Sequence, residues 1–482
     1  MSLGNALLNA VSGLAVSSRG TELVADNLAN AKTPGFARRE MHVSSRGQSG
    51  GVKIDGIQRV VNTGLLAQQR RADAVRNDSG IRLKFFRDME NVIGLPGTAG
   101  GLSQTLNEFQ VSLVNASRRP DSNLNLENVV QAARTLSDRL RNASKAVQTE
   151  RMAADSAIEK SVKELNSHIS QVAYLNRRIS GLSAQGKNIV ALADKRQEII
   201  GKINVLVPVN EIPRGSEKVA LFTAGGIALL DGTVPAEINF NPTEYFVPER
   251  TISEDTVGRL IVNGSELSEA QLKFFAGGAI HANFAVRDDL APQVQQDLDS
   301  FAMMLHEIFS DTKTDSTLGD NSPGLFLDGE NKAEIDNLTG LSSRLRLNQK
   351  IDPTAGGDLW RIRDGLNAER EGSAGNSELL VRLIKVIDAS QSRLPGNEGK
   401  KNVSLIGRLA EIETRIASTR ISFEKDHIIK NSAADALSLS VLEDGVNTDA
   451  EIQKLITLGQ SYAANARVVQ AVDEMLEQIL RW

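Results

Sequence analysis

Apolar residues recur at alternating steps of three and four between Gly445 and Trp482. Leu455, Leu458, Tyr462, Asn465, Val469, Val472, Leu476 and Ile479 fall on one line of a helix, which is a heptad seam. The opposite end has the same grammar, through Leu3, Leu7, Ala10, Leu14, Ser17, Thr21, Val24 and Leu28. At 1.5 Å per residue these helices run roughly 40 Å and 50 Å. Isolated helices are marginal in water, so each needs a partner, and the two seams predict that the terminal helices pair as a coiled coil. Gly459, Ala463 and Ala466 flank the later seam with small side chains, where a further helix can approach closely. Ser17, Thr21 and Asn465 interrupt the seams, as Asn176 interrupts an inner one; buried polar residues of this kind sacrifice stability and can set register.

Between the ends the chain reads as helix, then strand, then helix. Leu28 is followed by Ala-Asn-Ala-Lys-Thr-Pro-Gly-Phe36, a helix stop and a turn. Glycines at 47, 50, 51, 56 and 64, with Val52, Ile54 and Ile57 alternating, predict an extended stretch. Three helical stripes follow, Leu102 to Leu113, Val129 to Val147 and Ile158 to Ile179, with breaks at Pro96-Gly97 and Pro120. Proline and short β-type runs dominate after 205, with turns at Asp231-Gly232 and Asn263-Gly264. Helix returns at Val294 to Ile308, at 377–391 and from 403, with one strand expected at Ser343 to Leu347.

The fold class is therefore mainly α with a smaller β domain: paired terminal helices, an inner helical bundle and an inserted β domain. The expected divisions are 1–36 with 445–482 as the terminal coiled coil, 37–204 with 279–325 and 400–444 as the bundle, and 205–278 as the β domain. A loop-rich segment, 326–399, belongs with the bundle or the β domain.

Composition excludes several function classes. A net charge of −5 and a pI near 5.8 give no electrostatic footprint for nucleic acid. There is no cysteine, so no disulfide or thiolate metal site. No apolar run approaches the ~18 residues of a membrane span, and no membrane insertion is expected. Residues 6–16 are apolar enough for a signal core, but no Lys or Arg precedes them and Arg19 is the first charge. A cleaved signal peptide is not expected.

Candidate chemistry is thin. Gly181 to Asn188 is one residue short of a phosphate loop and follows a helix, so a helix-ending glycine is the better reading. His306-Glu307 lacks the second histidine of a zinc helix. Asp311-x-Lys313-x-Asp315 puts a cation at a calcium-ligand position. No nucleophile elbow or dinucleotide loop occurs. Neither an enzyme nor a cofactor or metal is expected.

Two motifs go beyond periodicity. Asp26-Asn27-Leu28-Ala29-Asn30-Ala31-Lys32-Thr33-Pro34-Gly35-Phe36 resembles the N-terminal signature of bacterial flagellar axial proteins, the rod, hook and hook-associated family, with Asp26 where that family usually has Asn. Gly445-Val446-Asn447-Thr448-Asp449-Ala450-Glu451, followed by Gln460-Ser-Tyr462-Ala-Ala-Asn465-Ala466, resembles its C-terminal signature, with Thr448 where Leu is usual. The helical middle, with Asp194-x-Arg196 on one helix, is similar to the hook-filament junction members. The resemblance implies an extracellular flagellar structural protein, exported through the type III apparatus without signal cleavage. It also implies a ring of copies between the hook protein and the next hook-associated protein, and an export chaperone on the C-terminal helix. The alternatives are a hook or distal rod component, or an enzyme carried on flagellar-type ends.

Overall fold

The computed structural model describes residues 3–33, 35–47, 50–252, 254–319, 321–389 and 403–480. It begins with α1 (Leu3–Ala29) and a two-stranded antiparallel hairpin, β1 (Arg38–Ser45) and β2 (Val52–Val60). Only β2 follows from the sequence pattern; β1 lacks the apolar alternation that would betray it. Four helices follow: α2 (Thr63–Ile93), α3 (Leu102–Arg118), α4 (Asn123–Ala184) and α5 (Val190–Leu206). Asn62 and Ser122 cap α2 and α4, their side chains accepting from the backbone N–H of Leu65 and Asn125.

The 62-residue α4 carries two of the predicted stripes on one element, and they serve two cores. Its first half, Leu126 to Ala154, packs with α2, α3, α8 (Ala291–Phe309), α11 (Glu378–Asp388) and the start of α12 (Leu405–Asp444). The end of the helix expected at 377–391 lies outside the described residues from 390 onward. The loop-rich segment closes this core. There β10 (Phe326–Asp328) pairs with β11 (Leu345–Leu347), beside the short helices α9 (Leu341–Arg344) and α10 (Arg361–Asp364).

The second half of α4, Ile158 to Ile179, packs with α5, α7 (Ala279–Ala285) and two small sheets. One sheet orders β3 (Val209–Arg214), β4 (Lys218–Thr223), β5 (Ala228–Asp231) and β6 (Val234–Pro235). The other orders β7 (Ile238–Phe240), β8 (Leu260–Val262) and β9 (Ser265–Glu266), and the single turn α6 (Glu269–Leu272) follows. The small sheets that follow the composition change near 205 pack on the second half of α4. Such short strands need a helix to cover them, and Leu221, Leu230, Ile238 and Leu260 share one core with Val162, Leu165 and Ile169. Asn176 serves this joint and no coiled-coil seam: its amide donates to Val219 O at 2.8 Å and Gly232 O at 2.6 Å, and its oxygen accepts from Arg196.

Where the cores meet, α4 turns polar. Arg151 and Arg287 are buried, and Arg287 donates to Asp155 at 2.6 Å and Asp288 at 2.8 Å. Arg151 donates to the carbonyls of Arg287, Val247 and Arg250 at 3.0, 3.2 and 2.5 Å. Burial pushes its pKa down to about 10, which still leaves it charged at neutral pH. Arg287 sits in a wide helical turn, Val286–Leu290, that joins α7 to α8.

From the first core α12 runs antiparallel along α2. Arg87 meets Glu424 at 2.6 Å, Arg420 meets Glu90 at 3.0 Å, and Phe86 stacks on Phe423. The outer face of α12 stays bare, with Ile421, Ile428, Ile429 and Leu439 exposed. The chain then re-enters the terminal layer as α13 (Thr448–Leu480).

Three sequence candidates for chemistry prove structural. Lys187 N–H bonds Leu182 O, and Gly186 has φ +64°, a helix-ending turn. His306 is buried, with Nδ1 bonded to Phe326 O at 2.7 Å and Nε2 accepting from Ala333 N–H at 3.1 Å. The carboxylates of Asp311 and Asp315 accept from the backbone N–H of Lys313 and Thr317 within their own turn. Among the described residues no acidic or histidine cluster could hold a metal, and no helix is long and apolar enough to cross a membrane.

Candidate assembly interface

The two ends of the chain lie side by side as an antiparallel pair, α1 on α13. The contacts recur every seven residues. A side chain on Gly13 would run into the amide of Asn465, one on Gly20 would run into Leu458, and Asn27 donates to Glu451 at 3.0 Å. Each seven-residue step down α1 is thus matched by seven residues back along α13.

The face that α1 turns to its partner is therefore Ala10, Gly13, Ser17, Gly20, Val24 and Asn27, of which all but Gly13 are buried. The leucine line lies one residue away from this covered line at alternate positions. Val24 remains on it, whereas Leu7, Leu14 and Leu28 stand half-buried on the flank, as does Leu3 at the start of the helix. Heptad spacing alone does not say which of two adjacent lines is covered, and the close approach of two backbones favours the line with glycines.

On α13, Leu455, Leu458, Asn465 and Val469 are half-buried and Val472 is buried. Tyr462, Leu476 and Ile479 are exposed, at 48%, 39% and 59%. The small-residue flank is also open: Gly459 has nothing over it, and Ile452 and Ile456 beside it are exposed. So are Leu8 and Val11 on α1.

Both motifs converge at the base of this pair. Asn27 Oδ1 accepts from Arg39 N–H and its amide donates to Arg39 O, each at 3.0 Å, in addition to its bond to Glu451. Asn447 caps α13 by accepting from Ala450 N–H at 3.0 Å, which sets Glu451 one turn in. Asn30 donates to the Asp26 carbonyl and carboxylate at 3.0 Å, and Thr33 donates to Asn30 at 3.3 Å, closing the end of α1. Pro34 lies outside the described residues. Gly35 has φ +81° and rests against Glu198 of α5. Phe36 lies under the Arg39 guanidinium, 4.7 Å from its carbon.

Arg39 also pairs with Asp26 and, at 3.0 Å, with Asp194, which takes Arg59 at 2.7 Å through its other oxygen. One carboxylate on α5 thereby holds both hairpin strands. The sequence singled out Asp194 and Arg196 on one helix but not this partnership, because Arg39 and Arg59 are far from it along the chain. Gly445 and Val446 meet Phe36, Leu65, Leu66 and Val441 around a cavity of about 330 Å³ between the turn and the end of α12.

Residues 86–325 match the family described as flagellar hook-associated protein FlgK helical domain, and residues 443–481 match the flagellar basal body rod FlgEFG protein C-terminal family. The chain belongs to the FlgK family of flagellar hook-associated proteins. It is 22% identical to flagellar hook-associated protein 1 of Bacillus subtilis, over 95% of this chain and 94% of that one. It is 21% identical to flagellar hook-associated protein 1 of Salmonella typhimurium, over 77% of this chain and 69% of that one. The solved flagellar hook junction protein FlgK from Burkholderia pseudomallei aligns with a TM-score of 0.46 at 18% identity, over 56% of this chain. The present chain spans about half the length of that protein, 49% of it. The family consists of structural flagellar proteins and not of enzymes.

Proposed function

We propose that this protein is a structural adaptor of the bacterial flagellum, forming the junction between hook and filament by self-assembly through α1 and α13. The observation that carries this reading is the apolar surface left open on helices already paired with each other: Leu8, Val11, Ile452, Ile456, Tyr462, Leu476 and Ile479. Monomeric proteins rarely leave apolar side chains clustered in this way. Covering each one on docking contributes about 1.5–3 kcal/mol, so a ring of copies gains from every subunit added. Its neighbours are the hook protein on one side and the next hook-associated protein on the other. Before assembly an export chaperone covers α13, and the chain leaves the cell through the flagellar export channel with no signal removed.

Leu476→Asp is expected to abolish incorporation into flagella while the body keeps its urea unfolding midpoint; a variant that still assembles refutes the reading. Deleting the gene in its host should leave bare hooks on the cell surface and unpolymerised flagellin in the medium, seen by electron microscopy and immunoblot. Missing hooks would instead move the protein into the rod or hook.

A further inference from the structure

We infer that the Asn27–Glu451 pair, and not the apolar seam, chooses the register in which α13 lies along α1. The seam is degenerate. Gly13 and Gly20 are seven residues apart, as are Leu458 and Asn465 that cover them. Sliding α13 by one heptad sets Gly13 against Leu458, or Gly20 against Asn465, so one glycine gap is again filled by a side chain that fills such a gap now, while the other glycine meets Glu451 or Val472. Ala10, Ser17 and Val24 repeat at the same interval, so shape alone accepts either slip. Asn465 does not discriminate either. Its amide donates to Ser461 O of its own helix at 2.9 Å, a bond that travels with α13.

Asn27 does discriminate. It is buried, it exchanges two bonds with the Arg39 backbone, and it donates to Glu451, which is 2% exposed. Slid one way, Asn27 faces Leu458; slid the other, the Glu451 carboxylate faces Gly20, which has no side chain to donate. Each slip leaves a buried polar group without its partner, the most costly outcome for a hydrogen-bonding group. Because Asp194 holds the same hairpin through Arg39 and Arg59, the choice is referred to the body of the molecule. It decides how much of α13, including Leu476 and Ile479, projects past Leu3. The inference stands on the geometry of the joint and does not require the ring reading.

The absence of native cysteine makes the test direct. In the full chain, Gly13→Cys with Asn465→Cys reports the observed register. Gly13→Cys with Leu458→Cys and Gly20→Cys with Asn465→Cys report the two slips. With Asn27 and Glu451 intact, the observed pair should oxidise at least about tenfold faster than either slipped pair. Asn27→Leu or Glu451→Leu, introduced separately, should bring that ratio close to one with helicity by circular dichroism unchanged. Glu451→Gln, which keeps an acceptor oxygen for Asn27, should retain the preference. Either leucine variant that keeps the tenfold preference overturns the inference. Loss of all three cross-links overturns it too, since the pair would then hold the helices together without choosing between registers.

Discussion

The body and the joined ends bury opposite kinds of side chain. Along α4 the two cores are filled by leucine, isoleucine, valine and phenylalanine, and the polar groups between them are closed off by many bonds each. In the α1–α13 pair the line that α1 turns to its partner is small or polar apart from Val24, and every leucine and isoleucine of the two helices except Leu23 stands half-covered or exposed. A body of the first kind is stable alone. A pair of the second kind gains little from its own contact and keeps its apolar surface for something else. The difference separates a part that folds from a part that waits.

The largest effect should come from the body. Removing one partner of a buried ion pair leaves an uncompensated charge, at a cost of about 3–5 kcal/mol. Arg287→Met abandons Asp155, whose pKa burial already raises although the Arg287 bond lowers it. A large fall in the urea midpoint is expected, while cross-linking between α1 and α13 is unchanged. If the terminal pair separated as well, the ends would not be the independent unit described above.

The ends should respond to bulk where the body responds to charge. A Cβ on Gly20 would lie 2.9 Å from Leu458 Cδ2, so Gly20→Leu forces the helices apart. Overpacking of this kind costs about 1–3 kcal/mol. Hydrogen exchange in α1 and α13 should accelerate with no change in α4, and slow exchange in both ends would mean the glycine line is not their true contact.

Much of this contrast was legible in the sequence, and the illegible part has a physical cause. The stripes of α4 announced both cores, because a face buried by a whole body must be continuously apolar. On α1 the leucine line and the covered line differ because leucines mark where burial is possible, and glycines at 13 and 20 mark where two backbones touch. Strand composition after 205 says nothing about which helix covers the strands, and α4 is the one that does. Asn27 and Glu451 were visible as members of separate motifs, but only the antiparallel pairing brings them within 3.0 Å.

The smallest expected effect is a pH dependence confined to the body. Burial lowers the pKa of His306, and Lys332 adds to this, although the bond to Phe326 O and the charge of Asp328 raise it. In the unfolded chain a histidine titrates near about 6.5. Its folded pKa is depressed, so the stability it contributes is present above that value. As pH falls below about 6.5 the unfolded chain takes up a proton that the folded body refuses, and stability declines until the folded pKa is passed. Protonation would also turn Nε2 from an acceptor into a donor facing Ala333 N–H. The urea midpoint of the body should therefore drop between about pH 7 and pH 5 by more in the wild type than in His306→Asn, which starts lower but carries no titrating group there. An equal drop in both proteins would assign the acid sensitivity to other groups.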